Sequence, residues 1–129
     1  MIQSFDAFLA LRHSAGLEYL QGNGAAVVAL SAQTGPSTFF TPDGGLIEGC
    51  ELVNQEKVRS AARFGPNGTS EWLCKDHGES GDLGYWVGYQ QIAVQVGDAM
   101  HQSSFRVTEV YRRIDGEWKI LHRHASRSA

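Results

Sequence analysis

The sequence predicts an α+β fold, with helices in its first half and an antiparallel β-sheet in its second half. In residues 2–20 and 49–64, apolar side chains recur every three or four positions, which is the spacing of one helix face. From residue 69 onward, long runs of alternating residues are separated by short turns rich in glycine and aspartate. Helices that precede such a β-meander cover one face of its sheet. With 129 residues, the chain is expected to form one domain over residues 1–129.

Three helices are predicted in the first half of the chain. The first covers residues 2–20, and a glycine-rich turn separates it from a short second helix over residues 25–32. A strand around residues 39–40 ends at a turn, residues 41–45, that contains a proline and two glycines. The third helix covers residues 49–64. Its apolar face is predicted to consist of Cys50, Val53, Val58, Ala61 and Phe64.

Four strands are predicted in the second half, over residues 69–77, 83–96, 100–113 and 118–125. In the second of these, apolar residues occupy odd positions up to Tyr89 and even positions from Ile92 onward. A change of phase within one strand predicts a β-bulge, here at Gln90 and Gln91, because an extra residue turns the following side chains to the other face.

Charge and composition exclude several classes of partner. The net charge of -3 and the pI of about 5.9 give no basic surface for a nucleic-acid backbone. We find no signal peptide and no apolar run of the length that a membrane span needs, so we expect no membrane association. Cys50 and Cys74 form no disulfide framework or metal motif. We therefore expect reduced cysteines and a cytoplasmic protein.

The last hairpin, residues 112–126, has an Asp115-Gly116 turn that is compatible with two registers. A two-residue turn places Glu109 opposite His122. A three-residue turn with a bulge at Gly116 places Glu109 opposite Leu121 and diagonal to Arg123. Both alternatives are open on the sequence alone.

Three segments resemble the SnoaL-like branch of the nuclear transport factor two-like superfamily. They are GDLGYWVGYQ at 81–90, FRVTEVYRRIDGEWKILHRHAS at 105–126 and TPDGGLIEG at 41–49. The superfamily also contains ketosteroid isomerases and the association domain of calcium/calmodulin-dependent protein kinase type II. The resemblance implies a strongly curved sheet wrapped into a cone around the helices, a pocket inside the cone, and homodimers through the outer sheet face.

The resemblance also implies which side chains face the pocket, and it favours the bulged turn. Glu109 and Arg123 are the candidate catalytic pair. The residues expected to bind a ligand are Phe39, Thr41, Val87, Tyr89, Gln91, Tyr111 and Leu121, with Ala125 also pointing inward. The residues expected on the outer face are Arg106, Thr108, Trp118, Ile120, His122 and His124.

A carboxylate and a guanidinium in an apolar cavity have a chemical use and a structural one. Glu109 would serve as an acid or base if burial raised its pKa, and Arg123 would hold an anionic group bidentately. The alternative is a structural buried ion pair. Thr41 stands where ketosteroid isomerases carry their basic aspartate, so the resemblance disfavours steroid isomerisation.

His122 and His124 lie two residues apart and share one strand face, which suits a metal bound by two imidazoles. No third ligand is spaced nearby, and we expect neither a metal nor a cofactor.

The function we infer is the binding of a small molecule in an apolar pocket, with isomerisation, cyclisation or dehydration by acid-base chemistry as candidate activities. The alternative is a non-catalytic association domain.

Overall fold

The computed structural model describes residues 3–128, and it contains three helices and six strands in that range. The helices are α1 (Phe5–Leu20), α2 (Ala25–Ala29) and α3 (Cys50–Ala61). The strands are β1 (Thr38–Phe40), β2 (Leu46–Glu48), β3 (Thr69–Ser80), β4 (Leu83–Val96), β5 (Ala99–Ile114) and β6 (Glu117–Arg127). Residue 2, which the sequence placed in the first helix, lies outside the described residues.

The six strands form one sheet in the order β2-β1-β6-β5-β4-β3, and the sheet is not closed. The α+β class and the cone-shaped fold with N-terminal helices are therefore confirmed. Two details differ from the prediction. The sheet is mixed, because β1 runs parallel to β6. Strand β2 was not predicted, and it pairs with β1 across the turn at residues 41–45.

Helix α1 packs its apolar face against the C-terminal strands. It begins at Ser4, whose hydroxyl accepts a hydrogen bond from the Ala7 amide (3.0 Å). The ring of Phe5 lies 5.0 Å from that of Trp118, centroid to centroid. Gly16 lets the same helix approach β3, since a Cβ at that position would lie 2.9 Å from the Trp72 ring. This close packing against Trp72 requires a residue without a side chain at position 16.

Strand β4 keeps one phase along its whole length. It pairs with β5 without a shift from Leu83 to Val96, and its even-numbered side chains face the helices throughout. The bulge predicted at Gln90 and Gln91 is therefore wrong. A bulge lies instead in the neighbouring strand β3, between Cys74 and Asp76, where β3 pairs with β4. The apparent change of phase arises because Val87 and Tyr89 are apolar residues on the outer face.

The last hairpin combines a two-residue turn with a bulge that neither predicted register contains. Asp115 (φ 53°) and Gly116 (φ 83°) connect Ile114 to Glu117, which is the pattern of a type I′ turn. The register then shifts by one residue at Leu121, so that Glu109 lies opposite Arg123. A bulge is present, but it lies at Leu121 and not at Gly116.

The bulge at Leu121 reverses part of the predicted orientation of β6. Before the bulge, Trp118 and Ile120 face the helices and are buried (1% and 2% exposed). Their predicted place on the outer face is wrong. After the bulge, Arg123 and Ala125 face inward, as predicted.

No helix within residues 3–128 combines the length and the apolar character that crossing a membrane requires.

Candidate functional site

A cavity of about 620 Å³ lies between α1, α3 and the inner face of the sheet. Its volume is in the range of small-molecule sites, which is about 300–1,000 Å³. Its apolar wall includes Val27, Phe39, Phe64, Ile92, Val94, Phe105 and Ile120. Its charged and polar wall includes Arg12, Glu56, Lys57, Arg63, Gln90, Glu109 and Arg123. The cavity wall is thus mixed, with apolar side chains and several charged ones.

The charged centre of the cavity is an ionic cluster of Arg12, Glu109, Tyr111 and Arg123. Arg12 binds Glu109 bidentately, from Nε to Oε1 (2.9 Å) and from Nη2 to Oε2 (2.7 Å). Arg123 Nη1 donates to Glu109 Oε2 (2.7 Å), and Tyr111 Oη donates to Oε1 (2.8 Å). The carboxylate accepts four hydrogen bonds, which is its full capacity.

These contacts fix the charge of Glu109. Burial of this fully enclosed carboxyl would raise its pKa, but the charges and hydrogen bonds of Arg12 and Arg123 hold the pKa well below its usual range. The condition under which Glu109 would serve as an acid or base, a pKa raised by burial, is therefore not met. Glu109 is thus a carboxylate at neutral pH, and it binds two guanidinium groups.

The ionic cluster has more positive than negative charge. Two arginines share one carboxylate, and Arg12 and Glu109 are both buried. Arg12 Nη1 has no hydrogen-bond partner within residues 3–128, and it lies 3.0 Å from the position of a Cβ on Gly16, which also lines the cavity. Arg123 uses its second amino group to bind Gln90 Oε1 (2.7 Å).

A further buried cation, Lys57, lines the same cavity from α3. It is 6% exposed, and its Nζ donates to Ser31 Oγ (2.6 Å). Burial, assisted by the charge of Arg12, lowers the pKa of Lys57 to about 7. Lys57 therefore differs from the arginines in having a hydroxyl group and not a carboxylate as its partner.

The predicted site residues fall into two groups. Phe39, Thr41, Glu109 and Arg123 line the cavity, and Tyr111 is buried beside Glu109. Four residues do not face the cavity, and their predicted placement is wrong: Val87, Tyr89, Gln91 and Leu121. The first three lie on the outer face because β4 keeps one phase, and Leu121 is the bulged residue, so that Ile120 takes its place.

The two histidines of the last strand lie on the outer face, as the resemblance implied. His122 Nδ1 lies 2.7 Å from Thr38 Oγ1 on β1, and the Phe40 ring contacts both imidazoles. Burial lowers the pKa of His122, and the neighbouring His124 lowers it further. Within residues 3–128, no group of three or more potential ligands is arranged for a metal ion.

Three residues of the cavity wall were not predicted from the sequence, namely Arg12, Lys57 and Gln90. Arg12 lies three and four residues after Leu9 and Phe8, on the apolar face of α1. Lys57 lies four residues after Val53 on the apolar face of α3 and takes the place predicted for Val58, which is exposed. A charged residue at an apolar helical spacing was the signal that identifies both cations.

The family comparison agrees with this architecture. The model of the SnoaL-like domain matches residues 39–129. The chain therefore belongs to the SnoaL-like domain family. No curated protein matches the chain in sequence.

Solved structures of similar fold have different proposed activities. A proposed dehydratase of the NTF2-like family from Streptomyces avermitilis aligns with a TM-score of 0.76 at 18% identity, over 95% of each chain. A proposed calcium/calmodulin-dependent protein kinase type II association domain from Thiobacillus denitrificans aligns with a TM-score of 0.76 at 15% identity, over 100% of this chain and 98% of that one. A proposed ketosteroid isomerase from Parabacteroides distasonis aligns with a TM-score of 0.69 at 21% identity, over 93% and 84%. At these identities, the likeness shows the fold alone.

Proposed function

We propose that this SnoaL-like protein binds a small, partly apolar organic anion in its cavity. The observation that carries the proposal is the ionic cluster, in which Arg12 and Arg123 share the single carboxylate of Glu109. A buried charge without a partner is costly, and an anionic ligand would compensate the extra guanidinium. The ligand's apolar part would contact the wall formed by Val27, Phe39, Phe64 and Ile120.

The hydrogen-bond pattern supports a carboxylate as the anionic group. The Arg12 Nη1 group has donor capacity that no residue within 3–128 uses. A guanidinium binds a carboxylate through charge-assisted hydrogen bonds, which are stronger than those between neutral groups. The side chain of Arg123 is 16% exposed, so it can reorient toward a ligand more freely than Arg12.

Binding is the core of the proposal, and acid-base catalysis by Glu109 is not part of it. The carboxylate is saturated with hydrogen bonds and its pKa is held low, so it has neither a free site nor the affinity for a substrate proton. Isomerisation, cyclisation or dehydration in this cavity would need another proton carrier. The predicted cytoplasmic location stays a prediction.

The test compares benzoate with its neutral isostere benzamide. We expect benzoate to raise the melting temperature and benzamide to have a smaller effect, since a ligand stabilises only the state that binds it. The difference between the two compounds should disappear in Arg123→Met. Arg113→Met is the matched control, because Arg113 forms an exposed ion pair with Asp82 away from the cavity wall. Equal effects of benzoate and benzamide on the wild type would contradict the proposal.

A second candidate function is assembly through the outer sheet face. The fold of this chain aligns with the hub of the calcium/calmodulin-dependent kinase from S. rosetta, with a TM-score of 0.73. On the outer face, Phe40, Leu73, Leu83 and Tyr85 are between 37% and 49% exposed. The homodimer that we predicted from the resemblance would bury these side chains. Sedimentation equilibrium of the wild type and of Leu83→Glu tests it, with a monomeric wild type as the contradicting result.

A further inference from the structure

We propose that Lys57 is a nucleophilic amine that forms a Schiff base with the carbonyl group of a small oxo acid. The amine and the ionic cluster line the same cavity, so one ligand can present a carbonyl group to Lys57 and a carboxylate to Arg12 and Arg123. The carboxylate half of this inference rests on the anion site proposed above. The amine half rests on the surroundings of Lys57.

The position of Lys57 is fixed by packing and by one hydrogen bond. It lies one helical turn from Val53 and one from Ala61, and both of these residues are buried. Its Nζ donates to Ser31 Oγ, and Ser31 Oγ donates in turn to the Val27 carbonyl (2.7 Å). Ser31 is thus held as an acceptor, so a neutral Lys57 amine directs a hydrogen at Ser31 and keeps its lone pair free.

No carboxylate within residues 3–128 forms an ion pair with Lys57. Taking an ammonium out of water without a counter-ion is costly, so burial favours the neutral amine. Arg12 on α1 and Arg123 on β6 lower the pKa of Lys57 further, whereas Glu109 on β5 and Cys50 on α3 raise it. With a pKa of about 7, a large fraction of Lys57 is neutral at neutral pH. A desolvated lysine of this kind is an activated nucleophile.

The covalent step is an ordinary condensation. The Nζ lone pair attacks the carbonyl carbon, and a proton moves from nitrogen to the former carbonyl oxygen to give a carbinolamine. Loss of that oxygen as water leaves a C=N bond. No oxidant, reductant or metal takes part, and the products are the imine and one water molecule.

The experiment traps the imine on the wild-type protein with sodium cyanoborohydride, which delivers hydride and leaves a stable secondary amine. The probes are 4-formylbenzoate and the neutral benzaldehyde, each at pH 7. Peptide mapping by mass spectrometry compares Lys57 with Lys75 and Lys119, which are the other lysines of the chain. It also separates these from the α-amino group, which is partly neutral at pH 7.

We expect Lys57 to be labelled at least about tenfold faster than the other two lysines, because burial without a carboxylate partner among the described residues leaves a large fraction of its amine neutral at pH 7. We also expect 4-formylbenzoate to label Lys57 faster than benzaldehyde does, and this preference should disappear in Arg123→Met. Equal labelling of Lys57 by the two aldehydes would support the amine and contradict the anion site. If neither aldehyde labels Lys57 faster than Lys75 and Lys119, the inference about Lys57 is overturned.

Discussion

The cavity contains two kinds of cation, arginines paired with a carboxylate and a lysine without one in the described part of the chain, and the comparison between them explains its chemistry. Arg12 and Arg123 contact the carboxylate of Glu109 at 2.7 Å. Within residues 3–128, the hydrogen-bond partner of the Lys57 side chain is the hydroxyl of Ser31. All three side chains line one cavity, which they reach from α1, α3 and β6.

The difference has two causes, the residue type and the partner, because a guanidinium keeps its proton in proteins whereas the pKa of a lysine falls readily on burial. Burial would lower the pKa of Arg12, but the charge of Glu109 outweighs it and the pKa is raised. Burial lowers the pKa of Lys57 and no carboxylate contact opposes it. The arginines are therefore fixed charges suited to binding an anion, whereas Lys57 is suited to proton loss.

Glu109→Gln should have the largest effect on stability. It leaves two guanidinium groups without their carboxylate, and breaking a buried ion pair in this way costs about 3–5 kcal/mol. Urea unfolding at pH 7 measures the loss. Glu117→Gln is the matched control, because Glu117 forms an exposed ion pair with Lys119 whose loss should cost about 0–1 kcal/mol. Equal losses in the two variants would show that the ionic cluster contributes nothing to stability.

The stability difference between the wild type and Glu109→Gln should also depend on pH. The pKa of Glu109 is lower in the folded state than in the unfolded chain, so its contribution to stability is complete above about pH 4.3, the pKa of an unperturbed glutamate. This contribution should be lost as the pH falls further, and the wild type should approach Glu109→Gln. A difference between them that stays constant down to pH 2 would contradict the account.

Arg12→Met and Arg123→Met should have smaller and unequal effects. Arg12 is the more buried partner and makes two hydrogen bonds to Glu109, so its loss should cost about 2–3 kcal/mol. Arg123 makes one and is partly exposed, so its loss should cost about 1–2 kcal/mol. The reverse order in urea unfolding would show that Arg123 is the principal partner of Glu109.

Lys57→Met should stabilise the protein, by about 1–2 kcal/mol at pH 7, because it replaces a buried amine with an apolar side chain of similar length. The pKa of Lys57 is lower in the folded state, so the unfolded chain binds more protons between about pH 7 and 10.4. The stability of the wild type should therefore rise with pH over this range relative to Lys57→Met. Parallel curves for the two proteins would contradict a lowered pKa.

His122→Ala should have the smallest effect, about 0.5–1.5 kcal/mol, since it removes a single hydrogen bond, to Thr38 on the outer face. The cavity is on the other side of the sheet, so the binding of benzoate should not change. Isothermal titration with benzoate measures this. Weaker binding in His122→Ala would indicate that the two faces of the sheet are coupled.

Local patterns in the sequence predicted the helices and the long strands, and the exact bounds of β4 were predicted. They failed where a single residue changes the register. The bulge at Leu121 places Trp118 and Ile120 on the same face of β6 as Arg123, which a period-two pattern does not predict. Leu121 was therefore wrongly placed facing the pocket, and Val87, Tyr89 and Gln91 were wrongly placed there because β4 keeps one phase, although Glu109 and Arg123 were correctly brought together.

For Arg12 and Lys57, in contrast, the sequence did contain a signal, because both lie at apolar positions of a helix. What the sequence did not show is the partner of each, because Glu109 is 97 residues from Arg12 and Ser31 is 26 from Lys57. Whether a buried charge is compensated depends on such distant contacts. The lowered pKa of Lys57 could therefore be inferred only from the three-dimensional structure.

The most direct test of the account is an NMR titration of the Lys57 side chain. The Cε signals of Lys57, Lys75 and Lys119 can be resolved in ¹³C-labelled protein, and Lys57→Arg assigns the signal of Lys57. The account predicts that the Lys57 signal titrates with a midpoint of about 7. A midpoint near 10.4, the value of a lysine in a model peptide, would show that Lys57 keeps its charge in the cavity and would contradict the account.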